Sequence, residues 1–393
     1  MQRRGYLKIC IGLCLGIVMM AALVASACTP KSDTTPTPSP TPSPSPEPAP
    51  APAPVKLIFA ATDPEDSVIG DAYRWWESEL NKRTNDAVDI EWHWNNSLVV
   101  MPEMLEAVTS GVADMGNFVP PYFGNVFALH GALDSIILFS DKPLAKLKAN
   151  EALDREIPEA AAEWEKAGLV RLNSWGPFNY HMSSIKPIRT LDDFKGIKIR
   201  ATGPINPVIL KAAGAVPVGF THNELYDALM KGTVDGSLTD YDLMYRFKEA
   251  EITPYVTRLF VAADPMLSTA INMDAWNKLS PEVQQVMLDL RDEFPDIYAE
   301  YGAKQFLDVS IPQLYEDGIE IIDLPPADLE AIQTDPSVLA IRDGWVDWVL
   351  ERKPELSRER AEEIKQFFSD KVQEYNEVYT MTLEPEEIGL KVN

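Results

Sequence analysis

From Val55 onward, the hydrophobic pattern switches repeatedly between the two-residue period of strands and the 3.6-residue period of helices. Lys56–Ala60 has a short apolar strand pattern, Gly70–Arg83 places its large apolar residues on one helical face, and Val88–Trp94 alternates again as a strand. This order limits the possible folds sharply, because parallel neighbouring strands need a crossover helix between them. It predicts an α/β fold with mostly parallel sheets and helices on their faces.

The same order returns later in the chain. Ile197–Arg200 and Ala215–Val218 have strand patterns. A helix over Asn223–Met230 is predicted to begin with a capping box formed by Thr221 and Glu224. A second unit of strands and helices therefore follows the first.

Two segments, Leu105–Met115 and Leu225–Gly236, share one form: a helix, a terminating glycine, a short strand and an aspartate three residues after the glycine. A chain of 393 residues also exceeds what one compact core usually holds. These features together predict two lobes of related design. An amphipathic pattern from Pro281 to about Tyr315, interrupted at Pro295, predicts a helix long enough to pack against both lobes.

The three cysteines, Cys10, Cys14 and Cys28, all lie near the N-terminus. The cysteine-free remainder excludes a structural disulfide, a thiolate zinc site and a cysteine nucleophile in the folded body. Basic residues followed by an apolar run over Ile9–Val24 describe a secretory signal over 1–27, although such a run could also anchor the chain in a bilayer. The end of this segment resembles a bacterial lipobox, which implies cleavage before Cys28 and lipidation of that residue.

Residues 28–54 continue as a tether in which proline alternates with small or polar residues. Such a segment forms neither helix nor sheet and favours extended polyproline II, reaching about 80 Å at about 3.1 Å per residue. A merely disordered leader would have a similar composition. A lipid anchor, a stiff spacer and an acidic folded body predict an extracytoplasmic protein, periplasmic or at the cell surface.

The formal net charge of −25 argues against a nucleic-acid-binding protein, which needs a basic surface. No HExxH pair, GxSxG elbow, GxxxxGK[ST] loop or GxGxxG turn occurs in the sequence. A glycosidase with paired carboxylates stays open, because acidic residues are plentiful. Asp240 and Asp242 could hold a cation, but no calcium-loop pattern surrounds them, and solvent exposure is expected instead.

One basic residue stands at a place where open sheets bind ligands. Arg200 ends the strand pattern Ile197–Arg200, and Gly203 and Pro204 follow at once. Ligands of open parallel sheets lie beyond the carboxyl ends of the strands, and a guanidinium there can bind a carboxylate through two donors. An ordinary surface arginine paired with one of the many acids is the alternative.

Three segments, Asp192–Pro204, Ala212–Phe220 and Asn223–Gly236, together resemble the core signature of the solute-binding proteins of tripartite ATP-independent periplasmic (TRAP) transporters, the DctP-like proteins. Met104–Phe123 is similar to the first-lobe helix and strand of the same family. The likeness covers about residues 56–322, in the right order and spacing.

The resemblance implies a two-lobed α/β fold with mixed sheets, crossing hinge strands and a long shared helix. It also implies that the two lobes close around the ligand. It places lobe I over 55–177 plus 266–305. It places lobe II, with the C-terminal helices, over 178–265 plus 306–393.

In this family the arginine at the position of Arg200 binds the ligand carboxylate. The resemblance assigns further contacts to strand ends and to the crossing between the lobes: Thr62, Asn96, Phe118, Trp175, Phe178, Asn179, Thr239 and Asp240. Trp175 could equally be a core residue. The segment Trp175–His181 lacks the additional basic residue of many relatives, so a monocarboxylate with an apolar or hydroxylated body is expected.

The resemblance implies a binding protein without catalytic activity, cofactor or metal, which delivers an organic acid to the small and large membrane subunits of an ion-gradient-driven permease. Two alternatives remain at this point. A binding protein of an ATP-driven importer or a sensor would share the fold, and an exported hydrolase would need a reactive group that the sequence does not show.

Overall fold

The computed structural model describes residues 53–176, 178–220, 222–262 and 266–392, which belong to one compact unit. The predicted signal over 1–27, the lipidation of Cys28 and nearly all of the tether lie outside these ranges. No helix in the described ranges combines the length and the apolar character needed to span a bilayer.

The bounds of the strands are Val55–Ala60 (β1), Val88–His93 (β2), Met115–Phe118 (β3), Leu169–Trp175 (β4), Tyr180–Ser184 (β5), Lys198–Arg200 (β6), Val216–Val218 (β7), Gly236–Thr239 (β8), Tyr255–Val261 (β9), Leu267–Asn272 (β10) and Glu320–Asp323 (β11). Four strands, β1, β2, β6 and β7, lie at predicted strand segments, whereas the strand predicted within Leu105–Met115 begins only at Met115.

The helices lie between these strands and after them. Their bounds are Val68–Thr84 (α1), Met104–Thr109 (α2), Ala128–Ala132 (α3), Pro143–Glu156 (α4), Pro158–Lys166 (α5), Asn206–Ala213 (α6), Leu225–Met230 (α7), Tyr241–Arg246 (α8), Met273–Trp276 (α9), Pro281–Ala303 (α10), Ile311–Glu316 (α11), Pro326–Gln333 (α12), Pro336–Asp343 (α13), Trp345–Arg352 (α14) and Arg358–Val378 (α15).

The strands form two sheets, which define the first and second lobes. The first sheet has the order β2-β1-β3-β10-β4, and the second has the order β11-β9-β5-β8-β6-β7. Strands joined through helices are parallel, whereas β10 in the first sheet and β5 in the second run antiparallel to their neighbours. The predicted two-lobed α/β fold with mixed sheets is therefore confirmed.

The antiparallel strands arise where the chain passes from one sheet to the other. β4 ends at Trp175 in the first sheet, and β5 begins at Tyr180 in the second. The chain returns between β9 and β10. A strand entering the opposite sheet in this way has no crossover helix to turn it parallel.

The long helix α10 runs through Pro295 without a break, so the predicted interruption there is wrong. It packs along α1 and β4 of the first lobe. A π-helical segment, Lys304–Ser310, continues it and contacts α8 of the second lobe. Phe294 and Tyr298, which flank Pro295 along α10, are buried. Their packing favours a helical backbone in this region.

The C-terminal helices α14 and α15 pack against α3 and α4, whose strand neighbours lie in the first sheet. Trp345 and Phe368 form a core there with Leu129 and Leu153. The chain beyond them reaches the second lobe, where the buried Glu384 accepts hydrogen bonds from Tyr241 and Arg258.

The repeated segment appears in both lobes as the same corner. After α2, Asp114 Oδ2 accepts a hydrogen bond from the Ile58 N–H at 2.9 Å, and the Asp114 N–H donates to the Ile58 carbonyl at 2.9 Å. After α7, Asp235 makes the same two bonds to Lys198, at 2.8 and 2.7 Å. The aspartate thus joins the corner to the neighbouring strand in each lobe.

Candidate ligand-binding cleft

A cleft of about 200 Å³ lies between the two sheets. The first lobe contributes the loop after β1, the first turn of α1, and the ends of β4 and β10. The second lobe contributes the start of β5 and helix α8, while α10 and the π-helical segment line the side. The cleft therefore lies where the chain crosses between lobes, beyond the carboxyl end of β8.

Aromatic rings form one wall of the cleft. The Phe178 ring stacks on Tyr298 with centroids 5.4 Å apart and meets Phe306 edge-on at 4.9 Å, while Trp175 lies 6.0 Å from Tyr298. Gly302 makes this packing possible, because a Cβ there would lie 2.1 Å from the Phe178 ring. The Tyr298 hydroxyl donates to the Gly176 carbonyl at 2.7 Å and fixes α10 against the crossing.

Trp175 lines this wall and is 5% exposed. Its indole N–H lies next to the Tyr73 hydroxyl, which is also bonded to Thr269 at 2.5 Å and to Asn117 at 2.9 Å. Because Tyr73 is buried and does not line the cleft, the indole N–H belongs to the packing of the first lobe.

Among the described residues, three carboxyl groups line the cleft: Asp63, Asp240 and Asp242. Asp240 caps α8 by accepting from the Leu243 N–H at 2.8 Å, and burial, together with the neighbouring Asp242, raises its pKa to about 7. Burial also raises the pKa of Asp63, although the Thr62 hydroxyl and the Arg246 charge act in the opposite direction.

Asp242 is already paired within the cleft. Arg246 Nη2 donates to Asp242 Oδ2 at 2.5 Å, and Gln305 Nε2 donates to Oδ1 at 2.8 Å. The expectation that Asp240 and Asp242 are solvent-exposed is wrong, since they are only 6% and 9% exposed. They begin a helix whose first turn faces the cleft.

The structure places Arg200 at the end of β6, 2% exposed and not among the residues that line the cleft. Its Nε donates to the Phe220 carbonyl at 3.1 Å, and Nη1 donates to His222 Nε2 at 2.8 Å. Burial, followed by the charges of Arg200 and Arg246, lowers the pKa of His222 to about 3, so the imidazole stays neutral and accepts this bond.

A further carboxyl group, that of Glu249, lies outside the cleft, close to Arg200 and to the strands β5 and β8. Glu249 is fully buried, and burial raises its pKa to about 7, while the Ser183 and Ser237 hydroxyls and the Arg200 charge act to lower it. Neither of its oxygens makes a well-formed hydrogen bond to the described residues. Sequence reasoning did not identify this residue.

The other predicted contacts are spread over several places. Trp175, Phe178 and Asp240 come together in the cleft, and Thr62 lies beside Asp63, to which its hydroxyl donates at 3.1 Å. The remaining predicted residues do not line the cleft: Asn96 is exposed and bonded to the Thr62 carbonyl, Asn179 and Thr239 are buried, and Phe118 packs among Phe123, Phe127 and Trp164.

The sequence reasoning missed several cleft residues, among them the charged Asp63 and Arg246 and the aromatic Tyr298 and Phe306. Arg246 had a detectable signal, because it stands four residues after Asp242, which is the spacing of an ion pair on one face of a helix. Tyr298 and Phe306 look like ordinary core positions of an amphipathic helix, and only the tertiary structure turns them toward a cleft.

Residues 59–339 match the family described as bacterial extracellular solute-binding protein, family 7. The C4-dicarboxylate-binding periplasmic protein DctP of Rhodobacter capsulatus is 29% identical over 58% of this chain and 68% of its own. A TRAP periplasmic solute-binding protein from Desulfovibrio salexigens superposes with a TM-score of 0.73 at 24% identity, over 82% of this chain and 97% of its own.

A pyroglutamic-acid-binding extracytoplasmic receptor from Bordetella pertussis superposes with a TM-score of 0.63 at 22% identity, over 81% of this chain and 99% of its own. The family groups transport-related binding proteins, not enzymes. The chain therefore belongs to family 7 of the bacterial extracellular solute-binding proteins, the DctP-like binding proteins of TRAP transporters.

Proposed function

We propose that this protein captures an organic acid, a monocarboxylate, outside the cytoplasm and delivers it to the small and large membrane subunits of a TRAP permease without transforming it. The observation that supports this most directly is the cleft, because both lobes and both crossings contribute to one aromatic and charged cavity. A ligand that contacts both sides stabilises the closed arrangement, so binding and closure are coupled as a population shift.

The ligands of related structures support the choice of a monocarboxylate. Solved relatives were obtained with pyroglutamate, D-glucuronate and orotic acid, each of which has a single carboxylate. A panel of such acids in a thermal-shift assay tests the proposal. At least one acid should raise the melting temperature, by an amount that increases with the logarithm of its concentration once this exceeds the dissociation constant. A complete lack of stabilisation by organic acids would contradict the proposed function.

We assign the carboxylate contact to Arg200, which reaches the ligand when it exchanges the His222 nitrogen for a carboxylate oxygen. Arg246, which lines the cleft, is the competing arginine. Titration calorimetry with the acid selected by the panel should show a loss of affinity of at least tenfold for Arg200→Lys, because lysine cannot provide the two-pronged contact.

Two matched variants complete this test. Arg358→Lys changes an exposed ion pair with Asp347 and should leave affinity unchanged. Arg246→Lys should lose less affinity than Arg200→Lys. The reverse order would transfer the carboxylate contact to Arg246 and contradict the assignment of Arg200.

Lipid attachment at Cys28 is the proposed route to the membrane surface. Metabolic labelling with a fatty acid in a bacterial host that processes lipoproteins should label the full chain but not the Cys28→Ser variant. Labelling that persists in the variant would contradict attachment at this residue.

A further inference from the structure

We infer that the ligand of this cleft carries a protonated nitrogen in addition to its carboxylate, so that it binds as a zwitterion. This inference rests on the proposed function and narrows the class of acid.

The cleft holds more negative than positive groups. Among the described residues, its lining includes Asp63, Asp240 and Asp242 but a single cation, Arg246, which is paired with Asp242 at 2.5 Å. The Arg246 charge also acts on Asp63 and Asp240, so three carboxyl groups share one cation. A simple anion entering this cavity would meet like charges, whereas a protonated nitrogen would compensate them.

The positive charge is better supplied by the ligand than by a metal ion. Within the described ranges, no group of three or more His, Cys, Asp or Glu side chains is arranged to hold a metal. Each of the three cleft carboxyl groups makes a different contact: Asp240 caps α8, Asp242 pairs with Arg246, and Asp63 accepts a hydrogen bond from Thr62.

The aromatic wall suits the same chemistry. Phe178 stacks on Tyr298, and Trp175 and Phe306 extend the wall on either side. Ring faces attract an alkylated or delocalised cation, more strongly when water is excluded. The two kinds of group, carboxyls and ring faces, are those that recognise ammonium or amidinium groups.

A competing arrangement is a protonated Asp240 that donates a hydrogen bond to a purely anionic ligand. The raised pKa of Asp240, about 7, allows either arrangement, because Asp242 and burial favour the protonated form while Arg246 and the Leu243 N–H favour the ionised form. The two arrangements require opposite pH dependence. A cation binds the ionised carboxylate and strengthens as pH rises from 5.5 to 8, whereas an anion that needs the proton weakens over the same range.

Three ring acids of similar size provide the test: L-proline with a protonated amine, L-pyroglutamate with a neutral lactam nitrogen, and cyclopentanecarboxylate without nitrogen. Glycine betaine and D-glucuronate extend the zwitterionic and anionic classes. Thermal shift and titration calorimetry at pH 5.5, 7 and 8 should find the strongest binding among the zwitterions, with affinity that rises with pH. Strongest binding by pyroglutamate, cyclopentanecarboxylate or glucuronate would overturn the inference and leave the proposed function standing.

The variant Asp240→Asn removes the charge and keeps a good helix cap, so the unliganded fold should melt within a few degrees of the parent. It should weaken binding of the zwitterion at least tenfold and leave any binding of pyroglutamate unchanged or stronger. Asp335→Asn, which alters the cap of α13 away from the cleft, is the matched control and should change neither. Unchanged zwitterion affinity in Asp240→Asn would overturn the inference, and failure of every acid to bind would remove both the inference and the proposed function.

Discussion

The corner after α2 and the corner after α7 are built alike but end differently. In both, a glycine with positive φ, Gly111 or Gly232, ends the helix, and an aspartate then joins the next strand to its neighbour. In the first lobe this strand ends at Phe118, in an aromatic core. In the second lobe it ends at Thr239, and Asp240 follows directly into the cleft.

This difference shows how one scaffold serves two purposes. The end of β3 stabilises the first lobe through apolar packing, while the end of β8 delivers a carboxyl group to the ligand site. Substitutions at equivalent positions should therefore separate stability from binding. The largest expected effect lies in the first lobe.

Phe118→Ala should destabilise the protein by about 3–5 kcal/mol, because it leaves a cavity among rings that are fully buried. Urea denaturation monitored by tryptophan fluorescence measures this loss. The equivalent substitution in the second lobe, Thr239→Ala, removes a smaller group and should cost about 1 kcal/mol. A Phe118→Ala protein of parental stability would show that the first corner is not a packing site.

The two aspartates should behave equally, which tests the likeness of the corners. Asp114→Ala and Asp235→Ala each leave a strand N–H without its side-chain acceptor, at Ile58 and Lys198 respectively. Each should lower the free energy of unfolding by about 1–2 kcal/mol. If the two losses in the free energy of unfolding differ by more than the smaller loss, the two corners are not equivalent.

The smallest expected effect is on the pH dependence of stability, and it comes from Glu249, the buried carboxyl group near β8. The pKa of Glu249 is raised from its ordinary value of 4.5 to about 7, so the folded protein holds a proton that the unfolded chain has lost between those values. Its contribution to stability is therefore present below pH 4.5 and is lost as pH rises to about 7.

Glu249→Gln removes this titration. The variant should gain stability relative to the parent as pH rises from 5 to 7, and the gain should level off above pH 7. Denaturation curves at the two pH values measure it. A constant difference between variant and parent across this range would contradict a raised pKa.

The sequence predicted the features that depend on local pattern and on motif spacing. The repeated corners, the short strands, and the location of Trp175 and Phe178 at the crossing all followed from it. The cleft itself depended on contacts between distant segments. Asp63 and Tyr298 look unremarkable in the sequence. They come together in the cleft only when α1, which follows Asp63, packs against α10, which carries Tyr298.

The same reason explains the residues whose surroundings differed from expectation. Pro295 looked like a helix break, but burial of neighbouring side chains favours a continuous α10. Arg200 stands at the predicted strand end, and its contact with His222 could not be foreseen because His222 belongs to a segment after β7. The role of Arg200 in ligand binding stays a prediction.

The central claim is that one cleft between the two sheets holds an organic acid. A crystal structure of the protein with the acid selected by the thermal-shift panel tests this most directly. The account predicts ligand density between the Trp175–Phe178 wall and Asp240, with contacts from both sheets. Density confined elsewhere, such as the cavity beside Trp276 and Arg291 on the first lobe, would contradict it.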